Sequence, residues 1–158
     1  ADAKRGKATM AESDLIKLYS QRILGLAADI PHLGHLDTPA GSARKRAPLC
    51  GSVVTVDVDL EGDRITRFAQ DVKACALGQA AAAVLGRAVI GCDRMTIERG
   101  RTQLAAMLTE SGPVPDAPFA DLEVLSAAQG FANRHASILL AFDATLEAWD
   151  TATKSACA

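Results

Sequence analysis

Two cysteines stand where a thiol can do chemistry. Cys50 follows Pro48 and precedes Gly51, so its side chain is expected at a loop tip, where a glycine lets the backbone turn closely around a ligand. Cys75 opens an Ala-rich stretch that reads as a helix. At a helix start, unpaired backbone N–H groups and the positive end of the dipole favour a thiolate. The residues between them predict a β-hairpin, and a hairpin brings its two ends together, which places both sulfurs at one end of a small sheet. Both cysteines are also readable as small buried core residues, as free cysteines often are. Spacing alone leaves the two readings open.

The other candidates are weaker. His32 and His35 are close in sequence, but Pro31 and Gly34 make that stretch a loop, and they read as exposed loop histidines. Cys92, after Gly91 at a helix end, reads as packing or as an incidental thiol. Cys157 is the penultimate residue and reads as a tail thiol. Asp57, Asp59, Glu61 and Gly62 occupy the opening places of a calcium loop, but Phe68 stands where that loop needs a bidentate glutamate. The run Arg44-Lys45-Arg46 lies between Gly41 and Pro48 and reads as a solvated loop. No glycine-rich phosphate loop, Ser-His-Asp order or pair of carboxylates stands out, so the chain is not expected to be an enzyme.

The elements that must position these residues follow from periodicity. From Ser13, a plausible N-cap with Asp14 in the first turn, apolar residues recur at helical spacing through Leu26. Prolines and glycines between Pro31 and Pro48 predict a loop with only short extended pieces. Val54, Val56, Val58 and Leu60 alternate as in a half-buried strand, and after Glu61-Gly62-Asp63 a second strand runs through Ile65 and Phe68 toward Val72. Helices are predicted over 74–89 and 96–108, a loop over 111–118, then a short helix near Leu122 and a longer one through Trp149. The fold class is α+β, a small antiparallel sheet packed against several helices. The predicted organisation is a flexible tail over 1–12, one domain over 13–150 and a C-terminal tail over 151–158.

Composition agrees with one globular domain: 158 residues, 49% hydrophobic and 23% charged. A net charge of -2 gives no field that would draw the chain to nucleic acid or to an anionic membrane. The run from Ala74 to Gly91 is interrupted by Gln79 and Arg87 and falls short of the ~20 apolar residues of a bilayer span. No apolar signal segment follows the basic start before Glu12, Ser13 and Asp14, so export is not indicated. Four cysteines without an export signal read as reduced thiols or metal ligands, and the expected compartment is the cytoplasm.

Several ordered motifs resemble the U-type (NifU/IscU/SufU-like) scaffold family on which iron-sulfur clusters are assembled. Pro48-Leu49-Cys50-Gly51-Ser52-Val53-Val54 resembles that family's proline, cysteine, glycine, aspartate and valine-rich strand. Lys73-Ala74-Cys75-Ala76-Leu77-Gly78 resembles its cysteine opening an Ala-rich helix, and Arg134-His135-Ala136-Ser137-Ile138-Leu139 its segment with a third cysteine. Leu18-Tyr19, Ile23-Leu24, Pro31 and Gly34 resemble its first helix and following loop. The resemblance spans Ser13 to Trp149 and implies the IscU-type (SufE/NifU-like) scaffold fold. It also implies a non-catalytic scaffold or carrier that takes sulfur from a cysteine desulfurase, binds iron, a transient [2Fe-2S] cluster or zinc, and serves cluster-accepting apo-proteins.

The chain departs from the family twice. Ser52 stands at the aspartate, and an ungapped match puts Ser137 at the third cysteine. A gap after Leu139 instead puts His135 on a histidine that precedes that cysteine in some members. The ligand set implied by the resemblance is therefore Cys50, Cys75 and His135, with His135 readable alternatively as a helix-surface histidine without a role. A diverged interaction protein or sulfur acceptor that binds a desulfurase without building a cluster is the alternative.

Overall fold

The computed structural model describes residues 20–49 and 51–157. Helix α1, Gln21–Ala27, is capped by Ser20, whose hydroxyl accepts from the Ile23 N–H, and it buries Ile23 and Leu26. The start expected at Ser13 and Asp14 lies outside the described residues. Three strands follow, β1 Gly41–Arg46, β2 Val53–Glu61 and β3 Arg64–Lys73, as an antiparallel sheet in the order β1-β2-β3. Helices α2 Ala76–Ala88 and α3 Arg94–Glu110, a 3-10 segment over Ala120–Ala128 and helix α4 Ala132–Cys157 complete the chain.

The alternation of β2 puts Val54, Val56 and Val58 on the buried face, with Val56 opposite Ala43 on one side and Gln70 on the other. The hairpin closes between Glu61 and Arg64. The Arg44-Lys45-Arg46 run, expected as loop, is strand: it pairs with Thr55, Val54 and Val53. A sequence with weak strand propensity is recruited by the valine-rich ladder beside it, while the prolines bracket the strand instead of interrupting it. Lys45 reaches from the strand to Glu147 of α4 at 3.3 Å.

Asp57 and Asp59 fix the loop that precedes β1. Asp57 accepts the Leu36 N–H at 3.1 Å and Asp59 the Ala40 N–H at 2.8 Å. The loop also bridges to β3, since the Gln70 N–H donates to the His32 carbonyl and the Gly34 N–H to the Gln70 carbonyl. The Asp57 bond satisfies a partly buried backbone donor, and the Asp59 bond pins the exposed end of the loop.

The helices cover one side of the sheet. Ala80, Ala81, Ala82 and Ala83 of α2 are all fully buried, which only a helix enclosed by neighbours on every side requires. Phe119 and Phe142 meet edge to face at 5.3 Å in the core between the 3-10 segment and α4. Helix α3 starts two residues before the expected Thr96 because Asp93 caps it, accepting the Thr96 N–H at 2.8 Å. Helix α4 continues past Asp150, where a tail is expected, through Cys157, with Ala152 buried. No described helix is long and apolar enough to cross a membrane.

Candidate functional site

Three elements converge at one end of the sheet. The loop 47–52 between β1 and β2 is closed by the Ala47 N–H donating to the Ser52 carbonyl and the Gly51 N–H to the Ala47 carbonyl. Gly51 has φ +69, a left-handed conformation that suits glycine. Leu49 is 84% exposed, so this loop presents a large apolar side chain to solvent. Cys50, between them, lies outside the described residues.

Cys75 is the N-cap of α2, with an extended backbone, and its carbonyl accepts the first helical bond from the Gln79 N–H at 2.9 Å. Its side chain does not cap the helix, and no carboxylate stands in the first turn to repel an anion there. The thiol is partly exposed.

The third element is α4. Ser137 is 1% exposed, and its Oγ lies 3.6 Å from Cys75 Sγ. Ser52, 4% exposed at the start of β2, lies 2.9 Å from the same Ser137 oxygen. The structure thus brings together Cys75, Ser52 and Ser137, the last being the α4 residue of the ungapped alignment. Gly78, not singled out in the sequence, makes that approach possible: a Cβ there would stand 2.8 Å from Ser137 Oγ and 2.9 Å from the Ala74 Cβ. A glycine inside an otherwise Ala-rich helix is the signal that could have found it.

His135 precedes Ser137 by two positions, which turns it roughly 200° around the helix. Its Nε2 lies 2.9 Å from the Ala128 carbonyl, which can only accept, so Nε2 carries a proton and the lone pair of the neutral ring is on Nδ1. Any cation on His135 binds through Nδ1. Among the described residues no three His, Cys, Asp or Glu side chains converge. The described donors are one thiol and two mutually hydrogen-bonded hydroxyls, a set that does not fit a resident zinc ion, which takes thiolate, imidazole or carboxylate.

The remaining candidates are placed elsewhere. His32 stacks edge-on to Phe68 and His35 lies 3.4 Å from the Asp57 carboxylate, both in the loop before β1. Cys92 is buried after α2, donates to the Ala88 carbonyl, and its thiol is pushed above the ordinary value by burial and then by Asp93, with Arg64 opposing.

Comparison with known proteins bears on this arrangement. No family model and no curated protein matches the chain. Among solved structures, it is similar to the N-terminal part of a nitrogen-fixing NifU-like protein from Brucella abortus, with 37% identity and a TM-score of 0.86 over 89% of this chain and 98% of that one. It is also similar in fold to a protein described as an iron-sulfur cluster assembly scaffold for the SUF system from the thermophilic Fervidobacterium islandicum AW-1. That match has 18% identity and a TM-score of 0.71 over 82% of this chain and 94% of that one.

Proposed function

Because this chain belongs to the NifU-like family of U-type scaffolds, we propose that it is an iron-sulfur cluster assembly scaffold or carrier whose working thiols are Cys75 and Cys50. The single observation that carries this reading is the position of Cys75: a partly exposed thiol at the start of α2, beside the loop that contains Cys50, in a chain of this family. A helix start supports negative charge on sulfur, the form that both attacks sulfur and binds iron.

In this role the chain carries cargo and does not catalyse a reaction of its own. The partner is a cysteine desulfurase, and the cargo is sulfur, iron or a transient [2Fe-2S] cluster passed to apo-proteins. Sulfur acceptance is a thiol exchange: Cys75 Sγ attacks the outer sulfur of the partner's cysteine persulfide, a new S–S bond forms, and the partner's thiolate leaves with the electron pair. A protein working through free thiols suits the reducing cytoplasm. His135 enters as a third ligand only through Nδ1, with its Nε2–H held by the Ala128 carbonyl in the manner of an oriented ligand histidine.

The test is anaerobic reconstitution with iron and sulfide, followed by absorption spectroscopy on wild type and Cys75→Ala. A chromophore that the substitution removes supports the reading; none in wild type, or an equal one in both, sinks it. The hydrogen-bonded serines favour a second reading, an interaction protein that binds a desulfurase without building a cluster. Firm desulfurase binding with no metal or cluster under any condition would decide for it.

A further inference from the structure

The Arg44-Lys45-Arg46 run takes no part in the thiol chemistry, and its strand geometry divides it between the two faces of the sheet. Lys45 stands opposite Val54, on the face that the helices cover, and reaches Glu147 there. Arg44 and Arg46 stand opposite Thr55 and Val53, on the other face, and both are exposed. Exposed Lys73 of β3 is also opposite Val53, so Arg46, Val53 and Lys73 make one row across that face. Farther from the thiol the same face is closed by the loop before β1, beneath which Asp57 is buried. The half left open adjoins the site: Arg46 leads into the loop 47–52, and Lys73 lies two residues before Cys75. We propose that Arg44, Arg46, Lys73 and Leu49 form a docking surface for an acidic segment of a partner protein. What that partner does beside Cys75 rests on the scaffold reading, whereas the surface itself rests on geometry and charge.

Lys45, Arg67, Arg87, Arg94 and Arg101 each meet a carboxylate of the chain. Among the described residues Arg44, Arg46 and Lys73 meet none. Asp71, opposite Thr55, is the one described carboxylate on this half of the face, so three cations stand against one anion. Arg44 and Arg46 are about 7 Å apart along β1, the spacing of carboxylates at alternate positions of an extended segment. Leu49, on the loop that continues β1, is the most exposed large apolar side chain among the described residues, and it supplies the apolar centre that a charged rim surrounds. The net charge of -2 opposes a long polyanion or an anionic membrane, whose field meets the whole chain, but not a short acidic segment that meets this patch alone.

The test uses the full chain without metal or desulfurase, so its failure is separate from failure of the scaffold reading. The probe is a fluorescein-labelled peptide with glutamate at every second position and one central leucine, titrated by anisotropy at low salt. The same peptide with glutamine for glutamate is the control. The glutamate peptide is expected to bind, the control not to bind, and binding to weaken as salt is raised. Arg46→Gln and Lys73→Gln should each weaken it about threefold, and Leu49→Ser about tenfold. Arg44→Glu combined with Arg46→Glu should remove it, while Arg99→Gln, at an exposed cation on α3, should leave it unchanged. Thermal unfolding checks the fold, and should the double charge reversal not fold, the single glutamine variants decide. No binding of the glutamate peptide, binding unaltered by the substitutions at positions 44, 46 and 73, or equal weakening by Arg99→Gln overturns the proposal. Tighter binding of single-stranded DNA or of phosphatidylserine vesicles than of the peptide overturns it as well.

Discussion

The hydroxyls of Ser52 and Ser137, 85 positions apart in sequence, lie 2.9 Å from each other beside Cys75. This buried contact joins the residue before β2 to α4 beside the thiol. It also fills, with two neutral groups, the space in which the resemblance places a carboxylate and a thiol. The distance from Ser137 Oγ to Cys75 Sγ is 3.6 Å. Two sulfurs bound at about 2.3 Å to one tetrahedral ion lie about 3.8 Å apart, close to this distance.

On the proposed scaffold reading, Ser137→Cys should therefore strengthen cation binding by setting a second thiol beside Cys75. The expected result is cobalt affinity raised at least tenfold, with stronger sulfur-to-cobalt charge-transfer absorption, as a soft thiolate replaces a protonated hydroxyl. Titration of wild type and variant with cobalt alone measures it. Equal affinity in the two would mean that position 137 does not face the ion.

Gly78→Ala tests the close approach of α2 and α4. Helix propensity alone predicts a gain of about 1 kcal/mol from glycine to alanine. The added Cβ would stand 2.8 Å from Ser137 Oγ and 3.0 Å from the Ser137 carbonyl oxygen, and overpacking of this kind costs about 1–3 kcal/mol. Because the clash includes backbone of a long helix, it wins, and net destabilisation of about 1 kcal/mol is expected in urea unfolding. A more stable variant would show that α4 moves aside at little cost.

How much of this was legible in the sequence depends on the range of the interaction that made it. The β2-β3 hairpin was readable because alternation of Val54, Val56 and Val58 and the Glu61-Gly62-Asp63 turn are local. Strand β1 was not, because Gly41–Arg46 has no strand pattern of its own and acquires one from the ladder with β2. The same contrast holds at the site. Cys75 at a helix start is a local signal, whereas the choice between Ser137 and His135 turns on which face of α4 meets α2, and α4 carries apolar residues on more than one face.

Asp93 links stability to acid. Its carboxyl is held below the ordinary value of 3.8 by hydrogen bonding to the Thr96 side chain and then to the Thr96 N–H, with burial opposing. A lowered value in the folded state means that the charged form favours folding. That contribution is complete above 3.8 and is lost as pH falls through the folded value. Asp93→Ala is expected to be less stable than wild type at neutral pH, with the gap closing below pH 3.8. Chemical unfolding as a function of pH checks it, and a gap that stays constant into acid would refute the assignment.

Cys92 provides the opposite linkage at alkaline pH. Its thiol is raised above the ordinary 9.0, first by burial and then by Asp93, against the pull of Arg64. The folded protein then holds the thiol proton more firmly than the unfolded chain does. Its contribution to stability is complete below about 9.0 and declines as pH rises from there toward the folded value. The stability of wild type should fall more steeply above pH 9.0 than that of Cys92→Ala, whose own loss is a constant offset from the small cavity. Under native conditions Cys92, buried and donating to the Ala88 carbonyl, should also resist alkylation while the partly exposed Cys75 reacts. Parallel pH profiles for the two proteins, or equal labelling of the two thiols, would remove Cys92 from this role.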